Sequence, residues 1–339
     1  MPAHSLLGIT TNSGWTVTKK FTNPLGTGGN FCVRYRVNSP NYGDAFMKAM
    51  DLTGWTDLQD INRVTGEYLF EQKVLELCSN KNLNRIVRSL DVGRITLPNK
   101  PAPLNTAYYV IFEEAEGDVR QKHLNGIASD SRSKFRVLHH VSVGISQLHR
   151  NGISHQDIKP SNVLTFPDEE NKISDLGRVV DKNGESPFSN LPFPGDTGYM
   201  PIEMHFGIMD LDFSTRILCD IYMVGSLLYQ MIEGVQIKTP VIAEAENIQS
   251  GVLRMSFNDA LPILISAHNT VQNRARTKCA YAMDAELAQS ISEIIDQMCH
   301  PDPQIRGNTT RAKTSQHIKM DRFVGKLSNL LRQAIIKGL

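Results

Sequence analysis

The stretch His155-Gln-Asp-Ile-Lys-Pro-Ser-Asn162 packs a carboxylate, an ammonium and a carboxamide into eight positions. Phosphoryl transfer to a hydroxyl needs an oriented acceptor, a neutralised phosphate charge and held metal ions. Asp157 can accept a hydrogen bond from an attacking hydroxyl and take its proton. Lys159 can reach a transferring phosphate, and Asn162 offers a neutral oxygen suited to Mg²⁺. Thirteen residues beyond Asn162, Ser174-Asp-Leu-Gly-Arg178 puts Asp175 between a short strand and a glycine. A carboxylate there could bind a metal that bridges phosphates. Each stretch taken singly also fits a polar surface turn.

Upstream, Gly26-Thr-Gly-Gly-Asn-Phe31 presents backbone N–H groups that could cover phosphates. A strand follows it rather than a helix, against a dinucleotide fingerprint, and the GK[ST] ending of a P-loop is missing. Lys48 lies in the apolar stretch Ala45-Phe-Met-Lys-Ala-Met-Asp51. If its end is buried it needs a partner, and Glu71 is a candidate. Otherwise it is a solvent-facing strand lysine.

These groups need a scaffold. A chain of 339 residues, 40% apolar and 21% charged, is ample for a core and implies about two domains or one two-lobed domain. The net charge of +1 gives no bulk case for nucleic-acid or membrane binding. Five scattered cysteines without metal-type spacing fit reduced thiols in a cytosol. The N-terminus has no signal-peptide pattern. Ile217–Ile232, the most apolar stretch, is short for a bilayer and carries Asp220, so it predicts a buried helix.

Residues 1–20, rich in Thr, Ser and Gly, are expected outside the core. Residues 32–37, 44–51 and 107–112 read as strands, and 64–79 as a helix with Leu69, Val74, Leu75 and Cys78 as apolar positions. Residues 98–106 and 181–196 are loop candidates. Residues 135–149 are helical by period, the stretches at 163–166 and 172–174 are short strands, and helices dominate after 217. Residues 254–284 carry no clear period.

In this order the motifs resemble the eukaryotic-type Ser/Thr protein kinase family over roughly residues 20–310. Leu25–Val33 is similar to its glycine-rich loop, Ala45-x-x-Lys48 to its lysine strand, and Glu71 to the helix glutamate paired with that lysine. Residues 155–162 match the catalytic loop and Asp175-Leu-Gly177 the metal-binding triplet. Gly195–Glu203 resembles the end of the activation segment, Asp220–Gly225 the central-helix motif, and Asp302–Arg306 the late motif whose arginine pairs with Glu203.

The resemblance implies an α+β, two-lobed fold. It has a small antiparallel-sheet lobe with one main helix (21–115) and a larger, mostly helical lobe (116–310). An N-terminal extension (1–20) and a C-terminal helix (311–339) flank them. It implies ATP and Mg²⁺, with Mn²⁺ as an alternative ion, at a site of residues drawn from both lobes. Leu25, Gly26, Gly28, Val33, Ala45, Lys48, Phe112 as gatekeeper, Glu113, Ala115 and Leu164 would line the nucleotide. Asp157, Lys159, Lys48 and Glu71 would be catalytic, and Asn162 and Asp175 would hold the metal. The Asp-x-Lys form points to serine or threonine acceptors on protein substrates; the resemblance also implies autophosphorylation, and the reduced thiols a cytoplasmic place.

The chain departs from the family at several positions. Phe31 replaces a glycine, Gln156 the arginine that usually binds an activation-segment phosphate, and Leu176 a phenylalanine. Asp196 stands where a threonine contacts the catalytic aspartate and lysine, and Pro201-Ile202 replace Ala-Pro. Gln156 predicts activity without phosphorylation at Ser186, Ser189 or Thr197. Two alternatives are a nucleotide-binding pseudokinase scaffold and, ranked lower, a small-molecule phosphotransferase of kinase-like fold. The basic, amphipathic segment 320–339 is either a docking element or a helix packed on the large lobe.

Overall fold

The computed structural model describes residues 2–21, 32–51, 58–97, 105–124, 130–208, 210–307 and 319–339. It divides into two compact units, Met1–Glu116 and Gly117–Leu339.

The first unit holds strands β1 (Thr16–Lys20), β2 (Cys32–Ser39) and β3 (Gly43–Met50), helix α1 (Leu58–Asn80), and strands β4 (Ser89–Thr96) and β5 (Thr106–Glu113). They form one antiparallel sheet in the order β1-β2-β3-β5-β4. Strand pleating puts alternate residues on opposite faces. One face carries Tyr35, Val37, Ala45, Met47, Ala49 and Ile111, all buried. Residues 2–17 cover it with Ala3, Leu6, Trp15 and Val17, and the Tyr35 hydroxyl donates to the Ala3 carbonyl at 2.6 Å. The N-terminal residues are therefore part of the core, contrary to the expectation from their polar composition. A few large apolar groups decide burial there, not the Thr, Ser and Gly around them.

The other face belongs to α1. Val64, Tyr68, Glu71, Leu75 and Cys78 are buried at spacings of four and three, which makes one stripe of a helix. Leu69, expected on that stripe, is exposed. The Tyr68 hydroxyl donates to the Tyr109 carbonyl at 2.8 Å and pins α1 to β5. Strand β4 had no strong signal because its burial pattern alternates poorly.

The second unit begins with β6 (Gly117–Asp118), α2 (Val119–His123) and α3 (Ser131–Arg150). Strands β7 (Ile153–Ser154), β8 (Val163–Thr165), β9 (Asn171–Ile173) and β10 (Val180–Asp181) follow. Helices α4 (Phe213–Glu233), α5 (Lys238–Ile248), α6 (Phe257–Ala282), α7 (Ala285–Cys299) and α8 (Asp321–Lys337) complete it. Helix α3 starts where the Asp130 carboxylate accepts from the Ser133 N–H at 2.6 Å, an N-cap. Helix α4 is buried over most of its length and ends at Gly234, whose φ of 82° suits a left-handed cap. The unreadable stretch is α6. Its buried positions include Ala260, Ala267, His268, Gln272 and Ala275, which give little apolar contrast, and Pro262 interrupts its first turns. Helix α8 buries Phe323, Leu327, Leu330 and Ala334, packs on α3, and pairs Asp321 with Arg150 at 2.9 Å. Its apolar stripe is thus occupied within the chain. No helix among the described residues is long and apolar enough to cross a membrane.

Candidate active site

In the first unit, Lys48 Nζ lies 3.8 Å from Glu71 Oε1. Lys48 stands opposite Val110 in the β3–β5 pairing, and Phe46 opposite Phe112. These residues share the face that α1 covers. Val33 and Ala45 do not. Val33 pairs with Ala49 and Ala45 with Val37, within the cluster capped by Leu6 and Trp15. The reason is parity: in Ala45-x-x-Lys48 the spacing is three, and a pleat of period two turns Ala45 away from the lysine's face. Phe46 and Cys32 are the neighbouring residues that fall on the lysine's face. The alternation alone could have found them. Leu25, Gly26 and Gly28 lie outside the described residues. Phe112, Glu113 and Ala115 end the unit half-buried, and Glu113 accepts from the Arg88 N–H at 2.8 Å.

In the second unit the catalytic loop hangs on Asp220, which is fully buried in α4. Asp220 Oδ2 accepts from the His155 N–H at 2.8 Å, the Ser154 hydroxyl at 2.8 Å and His149 Nε2 at 2.7 Å. Its Oδ1 accepts from the Gln156 N–H at 2.8 Å. Burial works to raise the Asp220 pKa. The His149 bond and charge, the nearby His155 and the Gln156 N–H outweigh it and hold the carboxyl below its usual range. The His155 ring bridges loop and strand: Nδ1 accepts from the Asp157 N–H at 3.2 Å, which leaves Nε2 to donate to the Ser174 carbonyl at 3.1 Å.

Around Asp157 three donors converge. Lys159 Nζ lies 3.0 Å from Oδ2, the Asn162 side chain donates to Oδ2 at 2.9 Å, and the Asp196 N–H donates to Oδ1 at 2.9 Å. The Asp196 carboxylate also sits 3.5 Å from Lys159. Asp196 therefore reaches both the aspartate and the lysine, the first through backbone and the second through charge. Burial opposes the charge on Lys159, but Asp157, Asp196 and Asp175 together raise its pKa. Gly195 lets the two segments meet, since a Cβ there would stand 2.0 Å from the Gln156 carbonyl oxygen.

The Asn162 carbonyl accepts from the Ser174 N–H at 2.8 Å, which fixes Asn162 beside Asp175. Asp175 and Gln156 both adopt left-handed backbone, with φ of 60° and 64°. Such conformations cluster where side chains must be aimed. Mg²⁺ takes one or two protein oxygens and completes its shell with phosphates and water. Asn162 and Asp175 fit that demand. Leu164, on β8 beside Lys172, is half-buried.

Two further motifs brace this unit. Arg306, wholly buried, makes a two-pronged pair with Glu203 at 2.6 Å on each arm, and its guanidinium lies over the Tyr222 ring. The Glu203 charge keeps Arg306 firmly protonated despite its burial.

The model of the protein kinase domain family matches residues 20–318, and the chain belongs to that family. Its sheet-rich and helical units are the two lobes of that fold. A probable serine/threonine-protein kinase of Clostridium acetobutylicum is 26% identical over 198 residues, covering 56% of this chain and 28% of the relative. Serine/threonine-protein kinase PknB of Mycobacterium tuberculosis is 25% identical over 179 residues, 52% of this chain and 27% of PknB. Serine/threonine-protein kinase cds1 of Schizosaccharomyces pombe is 29% identical over 157 residues, 46% of this chain and 33% of cds1. The matches span about a third or less of these relatives.

Proposed function

We propose that the chain transfers the γ-phosphoryl group of ATP to serine and threonine hydroxyls of proteins, its own included, in the cytoplasm. The observation that carries this reading is the Asp157 carboxylate, held by Lys159, Asn162 and the Asp196 N–H. In this reading Asp157 accepts a hydrogen bond from the acceptor hydroxyl, orients it and takes its proton as the new P–O bond forms and ADP leaves. Lys159 offsets charge on the transferring group. Lys48, steadied by Glu71, binds the phosphates of the nucleotide. Asn162 and Asp175 would hold Mg²⁺, which when bound neutralises phosphate charge. The Glu203–Arg306 pair and the Asp220 anchor favour a protein over a small-molecule acceptor, through the family motifs to which they belong. Retention of Lys48, Asp157, Asn162 and Asp175 favours turnover over a scaffold role.

The test is label transfer from ATP with Mg²⁺ to a serine/threonine peptide library. Asp157→Asn should lower the rate by about 10²–10⁴-fold, the usual worth of a positioned base. Equal transfer by both proteins would sink the proposal.

A further inference from the structure

Arg216, in the first turn of α4, is 1% exposed, yet the Asp220 carboxylate on its own helix makes no direct ion pair with it. Both terminal nitrogens of its guanidinium are spent on neutral oxygens, while Nε is buried without a hydrogen-bond partner among the described residues. One terminal nitrogen donates to the Pro192 carbonyl at 2.7 Å and to Gln156 Oε1 at 3.3 Å. The other donates to the Leu191 carbonyl at 2.6 Å and the Ser189 carbonyl at 3.2 Å. Gln156, itself fully buried, answers with its amide nitrogen, whose two hydrogens are shared among the Arg216 carbonyl at 2.9 Å, Ser154 Oγ at 2.8 Å and, more weakly, Asp220 Oδ1 at 3.2 Å. The catalytic loop, α4 and residues 189–192 of the activation segment are thereby tied through one guanidinium and one carboxamide. A few residues later the same segment places Gly195 against the Gln156 carbonyl and the Asp196 N–H on Asp157.

An arginine at position 156 would bring a second guanidinium to this pocket with Asp220 as its only carboxylate contact. Glutamine instead supplies one acceptor for Arg216 and donors for its neighbours. Ser186 offers no vacancy to a phosphate either. The Ser186 hydroxyl is buried and donates to the Val179 carbonyl at 2.7 Å, while its oxygen accepts from the Phe188 N–H at 3.1 Å. The segment's anchoring charge comes from the helix, and its partners are backbone carbonyls.

We propose that Arg216 is a positioning residue that, with Gln156, locks the activation segment to the catalytic loop and so replaces segment phosphorylation. The inference rests on the kinase reading for its catalytic consequence, but the lock itself is a structural claim. Hydrogen exchange over residues 186–197 therefore reads it without turnover. Arg216→Met removes all four donor contacts to neighbouring oxygens. It should speed exchange there at least tenfold, lower kcat at least tenfold and leave KM for ATP within twofold, with α7 and α8 as protected as before. Arg216→Lys, which keeps the charge and can reach some of the carbonyls, should recover part of both losses. Phosphatase-treated wild-type protein should keep its exchange and kcat within twofold.

Unchanged exchange in Arg216→Met, or a tenfold loosening on phosphatase treatment, would overturn the proposal. If Arg216→Met does not fold, Arg216→Lys and the wild-type comparison decide. A wild-type protein that transfers no label yet shows the Arg216-dependent protection would refute the kinase reading and leave the lock standing. An active kinase whose segment ignores Arg216 would do the reverse.

Discussion

Asp220→Asn keeps the shape of the anchor and exchanges one oxygen for an NH₂ group. Turned to replace Oδ1, the NH₂ would face the N–H and the side-chain amide nitrogen of Gln156, both of which only donate here. Turned to replace Oδ2, it meets the His155 N–H, the Ser154 hydroxyl and the His149 imidazole. The hydroxyl and the imidazole can reverse their roles. Only the His155 N–H is then left without an acceptor, so this orientation wins. An orphaned buried donor costs about 1–3 kcal/mol, and the two Gln156 bonds lose their charged acceptor, roughly 1 kcal/mol more. The expected destabilisation is about 2–4 kcal/mol. For a unit of this size that is a fall in Tm of about 4–16 °C. Thermal and urea unfolding measure it. The catalytic loop should shift as well, and a misplacement of about 1 Å costs on the order of 10²-fold in rate. The Asp220 pKa is held low in the folded state, so its stabilisation is complete above the ordinary carboxylate range and is lost as pH falls through the folded value. The variant should lack that acid-side loss. A destabilisation below about 1 kcal/mol with unchanged kcat would refute the hydrogen-bond reasoning.

Three more outcomes follow from the geometry. Gly195→Ala puts a Cβ 2.0 Å from the Gln156 carbonyl oxygen and 3.2 Å from Asp157 Cα, so kcat should drop by about 10²-fold while α7 and α8 keep their exchange protection. Arg306→Met leaves the Glu203 carboxylate buried and unpaired and should cost about 3–5 kcal/mol in urea unfolding, much of which Glu203→Leu in the same chain restores. Burial lowers the Lys238 pKa to about 8, with Asp196 working against the shift. The unfolded chain therefore holds the proton longer, and stability relative to Lys238→Met should rise between pH 8 and 10, as melting curves at both values will show.

The meeting of the polar side chains within each unit was legible because such chemistry would demand particular residue types in a fixed order. Asp157, Lys159 and Asn162 meet at one carboxylate, and Lys48 stands 3.8 Å from Glu71. The buried stripe of α1 was readable by period, although it runs through Val64, Tyr68 and Glu71 rather than Leu69. What escaped depends on contacts distant in sequence. Leu6 and Trp15 look incidental among polar neighbours until they cover a sheet face. Val33 and Ala45 lie on the face opposite Lys48 because strand alternation, not motif spacing, decides which way a side chain points. Helix α6 hides its buried side in Ala, His and Gln. Arg216 gave no signal, because its partners are backbone carbonyls 24 to 27 positions away and one glutamine side chain.

The central claim is phosphoryl transfer to serine and threonine by the Asp157 loop with Lys48. The most direct measurement is a mass-spectrometric map of phosphosites after incubation with ATP and Mg²⁺, run beside Lys48→Ala. Phosphoserine and phosphothreonine that accumulate on the wild-type chain and not on the variant are the predicted result. No phosphosites on the wild-type chain, or the same sites at the same occupancy on both, would contradict it.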